Sequence, residues 1–261
     1  MNPNRKKFDN EAHLVSDFIK ILNRSYRENP WRIYPETAEW DLLLVHDDGT
    51  QIGIEAKASL TAKAIDQALD GSIQRQWTKI DGPDYRAVLV PDYAVQHHLS
   101  NICHAIGIGI IAIRPIENLI QRHIFLPSGR DGYDWPCWGP VIKCPVPDYI
   151  PDVRAGIASP VKLTEWKIKA IRLMIVLERK GWVDRGDIRA LGLSPSRWTD
   201  RYQGFLYQDQ RGQYVQSNFT PDYRKAHPVN YVEIERDVAD WGKALDPFGK
   251  ECPAWLLKEG D

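Results

Sequence analysis

Two acids in this chain are placed to share one cation, with an amine two residues beyond the second. Asp41 lies in the run WDLLLVH (40–46), and Glu55 and Lys57 lie in TQIGIEAKA (50–58). Between the runs sits Asp47-Asp48-Gly49, and the apolar alternation on either side marks a β-hairpin. A three-residue loop with a left-handed Gly49 fits, because glycine reaches that conformation without steric cost. His46 then pairs with Thr50, Leu44 with Ile52 and Leu42 with Ile54, so Asp41 faces Glu55. One face of the ribbon is aliphatic. The other gathers two carboxylates, with Lys57 two residues further along. A two-residue turn would move Asp41 to the wrong side, so the register decides the matter.

Carboxylates placed side by side repel one another and need a cation. A few hard oxygen ligands with room for water suit Mg²⁺, with Mn²⁺ as the alternative. Such an ion polarises a phosphodiester oxygen and lowers the pKa of a bound water. An ammonium alongside can hold that water or meet the negative charge that develops in the transition state. The competing reading is an exposed ion pair of little consequence. The tripeptide Glu-x-Lys alone is a weak signal, since it recurs at Glu165–Lys167 and Glu178–Lys180. Both of those lie in a helical pattern with no strand partner; only Glu55–Lys57 follows an acid-bearing strand.

The elements that must position these residues are legible around them. Glu11 to Arg24, capped by Asn10, has the amphipathic spacing of a helix in Leu14, Phe18, Ile21 and Leu22. Trp31 to Tyr34 reads as a short extended piece before the hairpin. Thr61 to Trp77 is helical, Tyr85 to Val90 a buried strand, Asp92 to Ile106 a helix, and Gly109 to Ile113 and Gln121 to Leu126 are strands. Together they predict an α/β domain with a mixed sheet flanked by helices, over residues 1–127.

Asp41, a hairpin, Glu55-Ala56-Lys57 and a following helix with Gln67 resemble the PD-(D/E)XK nuclease superfamily, which includes restriction endonucleases and Holliday-junction resolvases. The resemblance covers about the first half of the chain. It implies a restriction endonuclease-like core in which Asp41, Glu55 and the Ala56 carbonyl bind Mg²⁺ and Lys57 assists the attacking water. It also implies that Glu11, on the first helix, completes the metal site. Gln67 stands where several subfamilies place a polar residue against the site or the phosphate backbone. The chain departs from the family at Trp40, where proline often precedes the aspartate. Pro35, Glu36 and Glu39 lie upstream, which leaves open whether Glu39 also touches metal.

The second half is organised differently. Residues 128–160 are rich in proline and glycine and read as a linker or wrapping loop, with Tyr133, Trp135 and Trp138 covering apolar surface between two domains. From 161 to 225 the pattern is a winged helix-turn-helix. Thr164 to Lys180 is a helix capped by Thr164 and stopped by Gly181, Arg185 to Leu191 a second, and Pro195 to Tyr202 a third. A hairpin closes the motif, with strands at Phe205–Gln208 and Gln213–Gln216. The third helix offers Ser196, Arg197, Trp198, Thr199 and Arg201 as a hydrogen-bonding, cationic surface, and Arg211 marks the hairpin tip. DNA is the partner that surface suits, with Ser196, Arg197, Arg201 and Arg211 as the candidate contacts; the alternative is a winged helix used for protein contact or for packing on the nuclease domain. Residues 226–261 hold one more helix, Val229 to Leu245, and a tail.

Composition sets the outer bounds. Net charge is −1, so the chain is no polycation, yet residues 161–201 carry ten Lys/Arg against five Asp/Glu. The polar opening Met1–Lys7 has no apolar stretch of a secretory signal, and Ala105–Ile113 is too short to span a bilayer, so a cytoplasmic protein without membrane contact is expected. Four cysteines at irregular spacing read as reduced, partly buried thiols. Cys137 and Cys144 with His104 could form a zinc site, but no CxxC pair supports one. His97, His98 and His104 read as surface or interface residues. Cutting both strands of a duplex with one site per chain needs a homodimer or two visits. The other function classes left open are a DNA-binding regulator without catalysis, or a phage- or defence-associated adaptor that keeps the nuclease fold.

Overall fold

The computed structural model describes residues 7–73, 82–116, 123–124, 126–127, 135–153, 162–199, 204–246 and 248–257. The chain divides into two compact units, 1–146 with 153–162, and 147–152 with 163–261.

The first unit is a five-stranded mixed sheet in the order β1-β2-β3-β4-β5, with strands Trp31–Thr37, Trp40–His46, Gln51–Ala56, Tyr85–Pro91 and Gly109–Ile113. The first three strands form an antiparallel meander; β3, β4 and β5 run parallel, so helices must cross between them. Helix α2 (Ala62–Ile73) makes the first crossing and α3 (His97–Ala105) the second, after a 3₁₀ turn at Asp92–Ala94. The long helix expected from Asp92 is thus broken at Val95 and Gln96.

Helix α1 (Glu11–Ser25) starts where Asn10 Oδ1 accepts from His13 N at 2.8 Å. Its Leu14, Phe18, Ile21 and Leu22 pack on one sheet face, against Leu42, Leu44, Ile52, Ile54, Ala87 and Leu89. Leu60, Ala64, Ile65 and Ala68, together with Cys103 of α3, cover the other face, against Trp40, Leu43, Val88 and Val90. Every residue of β3 is buried. The sheet is therefore covered on both sides, not half-buried, and polar groups reach solvent only at its ends.

The expected hairpin register is present: Leu42 pairs with Ile54 and Leu44 with Ile52. Gly49 sits at φ +84°, His46 N donates to Thr50 O at 2.8 Å and Gly49 N to His46 O at 2.8 Å. Strand β1 is longer than the piece read from sequence. It turns into β2 through Ala38 (φ 52°) and Glu39 (φ 70°), both left-handed although neither is glycine.

Part of the segment read as a linker is a strap on this first unit. Trp138 N donates to Asp84 O at 2.8 Å and Trp138 Nε1 to Gly107 O at 2.9 Å; Cys144 N donates to Gln51 Oε1 at 2.8 Å. The Trp135 ring lies so close over Gly109 that a Cβ there would stand 2.5 Å from it. These contacts seal the end of the sheet where β3, β4 and β5 begin. Trp135 and Trp138 are thus used within the first unit, and Tyr133 lies outside the described residues. So do the tail of the helix predicted to Trp77, half of the strand predicted at Gln121–Leu126, and Arg201; His123, Ile124 and Leu126, which are described, are not in a strand.

The second unit is built around α4 (Glu165–Lys180). Thr164 caps its start, and Gly181 ends it at φ +82°, donating to Leu177 O at 2.8 Å. Two short helices, α5 (Arg185–Ala190) and α6 (Pro195–Trp198), precede the hairpin of β6 (Leu206–Gln208) and β7 (Tyr214–Gln216). The chain then runs through α7 (Tyr223–Ala226), α8 (Pro228–Arg236), α9 (Val238–Trp241) and a 3₁₀ turn at Gly242–Leu245, where one continuous helix was expected. Tyr231, Ile234, Val238, Trp241 and Leu256 share one core with α4, so the C-terminal residues complete this unit. Trp198, expected on an exposed helix face, is fully buried: its ring stacks on Trp166 and meets Phe205 edge-on. Cys103 is buried, Cys144 and Cys252 are partly buried, and Cys137 is exposed. His97, His98 and His104 are exposed. Among the described residues no helix is long and apolar enough to cross a membrane.

Candidate active site

The C-terminal end of β3 lies beside the start of β2, which runs the opposite way, so both acid-bearing positions come to one edge of the sheet. Ala56 N donates to Asp41 Oδ2 at 2.8 Å, which fixes the Asp41 side chain against the backbone of β3. Lys57 Nζ donates to the same oxygen at 3.0 Å and lies 2.9 Å from Glu55 Oε2. One ammonium thus bridges both acids. Among the described residues, no hydrogen bond reaches the second oxygen of either carboxylate. Lys57 N continues the parallel pairing by donating to Leu89 O at 2.9 Å. The backbone there is held on both sides, and the lysine leaves the sheet in a fixed direction.

Glu11 and Gln67 come to the same place from opposite faces of the sheet. Glu11 Oε1, at the start of α1, accepts from Ala58 N at 3.2 Å. Glu11, Lys57 and Gln67 line one pocket of about 340 Å³ together with Ala58, Ser59, Thr61, Lys63 and Ala64. The position just beyond the carboxyl ends of parallel strands is where open α/β sheets usually bind ligands.

The charges are under tension. Burial raises the Glu55 carboxyl above the ordinary carboxylate range, the neighbouring charge of Asp41 raises it further, and Lys57 pulls it back only in part. Burial works to lower the Lys57 ammonium, but its bonds and charges with Glu55 and Asp41 outweigh that, and the net shift is upward. Both shifts are upward, which works against the charge on Glu55 and favours the charge on Lys57; Glu55, with 8% of its side chain exposed, is also more deeply placed than Lys57 at 21%. Three fixed charges, two negative and one positive, leave this edge with an unbalanced negative charge.

The sequence reading missed Glu36. Pro35 pairs with Leu42 and Thr37 with Trp40, so Glu36 stands opposite Asp41. Its charge also acts to raise Glu55, and Lys162 Nζ lies 3.3 Å from its Oε2. Its backbone has φ 50°. The hairpin arithmetic applied to β2 and β3 finds it when extended to β1. Glu39, by contrast, is exposed in the turn.

The candidate DNA contacts of the second unit are spread over two elements. Arg197 is exposed on α6, with its guanidinium 4.6 Å from the centre of the Trp166 ring. Ser196 Oγ lies 3.0 Å from Ser194 Oγ. Arg211 is exposed at the turn of the hairpin, its backbone held by Asp209 Oδ1 at 2.9 Å.

No family model, no curated protein and no solved structure matches the chain.

Proposed function

We propose that this chain is a metal-dependent endonuclease that hydrolyses DNA phosphodiester bonds, its first unit a PD-(D/E)XK core of restriction endonuclease type. The observation that carries the reading is the Lys57 ammonium held 3.0 Å from Asp41 and 2.9 Å from Glu55 where the central strand ends at a polar pocket. Asp41 on one strand of a hairpin, Glu55-Ala56-Lys57 at the end of the other, and a following helix that carries Gln67 are the features on which the resemblance rests.

The residues present fit a divalent cation. Each carboxylate keeps one oxygen clear of described donors, and the excess negative charge at this edge favours a cation. Asp41 and Glu55 would hold Mg²⁺ or Mn²⁺ with the Ala56 carbonyl; Glu11 lines the neighbouring pocket, and among the described residues it does not gather with the two acids as a three-residue metal group. When bound, the ion supplies Lewis acidity toward a phosphodiester oxygen and a more acidic water. Asp41 enters that role with its rotamer fixed by the Ala56 amide. Lys57 keeps its proton and can direct it to the attacking water or to a non-bridging phosphate oxygen. Gln67, across the pocket, offers an amide to the strand being cut.

The second unit serves as a winged helix that contacts DNA through Ser196, Arg197 and Arg211, with Arg201 next along the chain. Cleavage of both strands would take two copies of the chain or two visits.

Incubation with plasmid, linear duplex and single-stranded DNA, in Mg²⁺, Mn²⁺ or EDTA, tests the reading. We expect cleavage with either ion, none in EDTA and none from Asp41→Asn. Absence of cleavage under every condition overturns it, as does cleavage that survives Asp41→Asn.

A further inference from the structure

We propose that the pocket beside Lys57 is a phosphate subsite, in which Lys63, Ser59, Thr61 and Gln67 hold a backbone phosphate adjacent to the one cleaved. The inference rests on the nuclease reading and names how the substrate strand is gripped.

The pocket measures about 340 Å³, enough for a phosphodiester group and part of its sugar. Its lining argues against a base: it holds no aromatic ring, and its apolar members are only Ala58 and Ala64. Hydrogen-bond donors dominate instead. Lys63 is exposed, and no carboxylate among the described residues pairs with it, whereas the Lys57 ammonium is already shared by two. Thr61 Oγ1 accepts from Ala64 N at 3.2 Å, which leaves its hydroxyl hydrogen to donate outward. Ser59 and Gln67 are exposed and add a hydroxyl and an amide.

Glu11 is the only acid in the lining, and its Oε1 is engaged by Ala58 N at 3.2 Å. One engaged carboxylate among two ammoniums and three neutral polar side chains does not make a cation site. Thr61 and Lys63 also flank the first residue of α2, a helix of 12 residues, so its amide dipoles add to the same field. An anion is the ligand these groups recognise. Lys57 belongs to both the pocket wall and the carboxylate pair, so the anion sits next to the reacting phosphate. On one strand, that neighbour is the next phosphate. Two anchored phosphates fix the orientation of the bond between them, and orientation contributes directly to rate.

The test uses the full chain and a fluorescein-labelled duplex oligonucleotide in EDTA, with anisotropy titrations over a NaCl series. Lys63→Ala should reduce the slope of log affinity against log salt by about 0.9, the loss of one phosphate contact. Lys63→Arg should restore it. Lys20→Ala, which removes an exposed ammonium from α1 that is not part of the pocket lining, should leave the slope unchanged. A second arm places one neutral methylphosphonate linkage beside the scissile phosphate. It should slow cleavage by the wild type and add nothing to Lys63→Ala. Equal slopes for wild type and Lys63→Ala overturn the proposal, as does an equal change in Lys20→Ala. If the chain cleaves no DNA but the slope still responds to Lys63 alone, the nuclease reading fails and the phosphate site stands.

Discussion

The same tripeptide, Glu-x-Lys, meets opposite fates in the two halves of this molecule. On β3, residues two apart point to one face, so Glu55 and Lys57 converge and their charged atoms lie 2.9 Å apart. On α4, residues two apart diverge. Glu178 pairs with Arg224 at 3.0 Å and accepts from Tyr231 Oη at 2.8 Å. Lys180 turns to Asp187 at 2.7 Å and lies 3.9 Å from the centre of the Trp182 ring. The helix distributes its charges among separate partners. The strand concentrates them on one buried spot, at a cost to stability that a chemical role would explain.

The largest effect that sharpens this contrast is on rate. Lys57→Ala should lower the cleavage rate about a thousandfold, or about 4 kcal/mol, the scale for removing one donor that acts in the transition state. DNA affinity should change little, because such interactions act on turnover more than on binding. Lys180→Ala should leave the rate where it was. Single-turnover kinetics beside anisotropy titrations separate the two. If affinity falls in step with rate in Lys57→Ala, the ammonium is a phosphate anchor and has no part in the chemistry.

Next in size is a pair of glycines that serve different ends. Gly53 on β3 has the Trp40 ring so close that an added Cβ would lie 2.3 Å from it. Gly181 after α4 has open space around it but φ +82°. Gly53→Ala should therefore cost about 1–3 kcal/mol through overpacking in a closed core. Because Trp40 adjoins Asp41, it should also reduce cleavage. Gly181→Ala should cost about 1 kcal/mol through backbone strain alone and leave cleavage intact. Urea denaturation checks both. Equal costs at the two positions would mean that the core around Trp40 yields more readily than its packing suggests.

How far the sequence disclosed this arrangement follows from the same physics. The β2–β3 register was readable because Asp47-Asp48-Gly49 admits one economical loop, and the register then places Asp41 with Glu55. Helices α1 and α4 were readable because Asn10, Thr164 and Gly181 are unambiguous caps on strongly periodic runs. The β1–β2 turn was not, since Ala38 and Glu39 give no compositional sign of a left-handed backbone, and Glu36 was hidden with it. The strap over the sheet was read as a linker because its order comes from bonds between distant residues, such as Gln51 with Cys144, and not from periodicity. Trp198 looked like a recognition-helix residue because α6 is too short for its buried side to show as a repeat.

The smallest effect is one of sign, and it sets the strand against the helix most directly. Burial, with the charge of Asp41 added, holds the Glu55 carboxyl above its ordinary value. For an acid whose folded pKa is raised, the stabilising contribution is fully present below the unfolded pKa and is lost as pH rises through the folded one. At neutral pH the ionised Glu55 thus weighs against the fold, and Glu55→Gln, neutral at every pH, should raise the melting temperature there. The gain should shrink as pH falls below the ordinary carboxylate range, where wild-type Glu55 is protonated as well. Glu178→Gln should act the other way at neutral pH, because it removes the charge that Arg224 and its neighbours answer, a loss of no more than about 1 kcal/mol at this exposure. Mg²⁺ gives the contrast a second reading. Added to the wild type, it should recover the stability that Glu55→Gln gains by neutralisation, because a ligand that binds only the folded state stabilises it. Added to Glu55→Gln it should do much less. A wild-type melting temperature unmoved by Mg²⁺, together with a stabilised Glu55→Gln, would show buried charge strain at this edge without a cation site to relieve it.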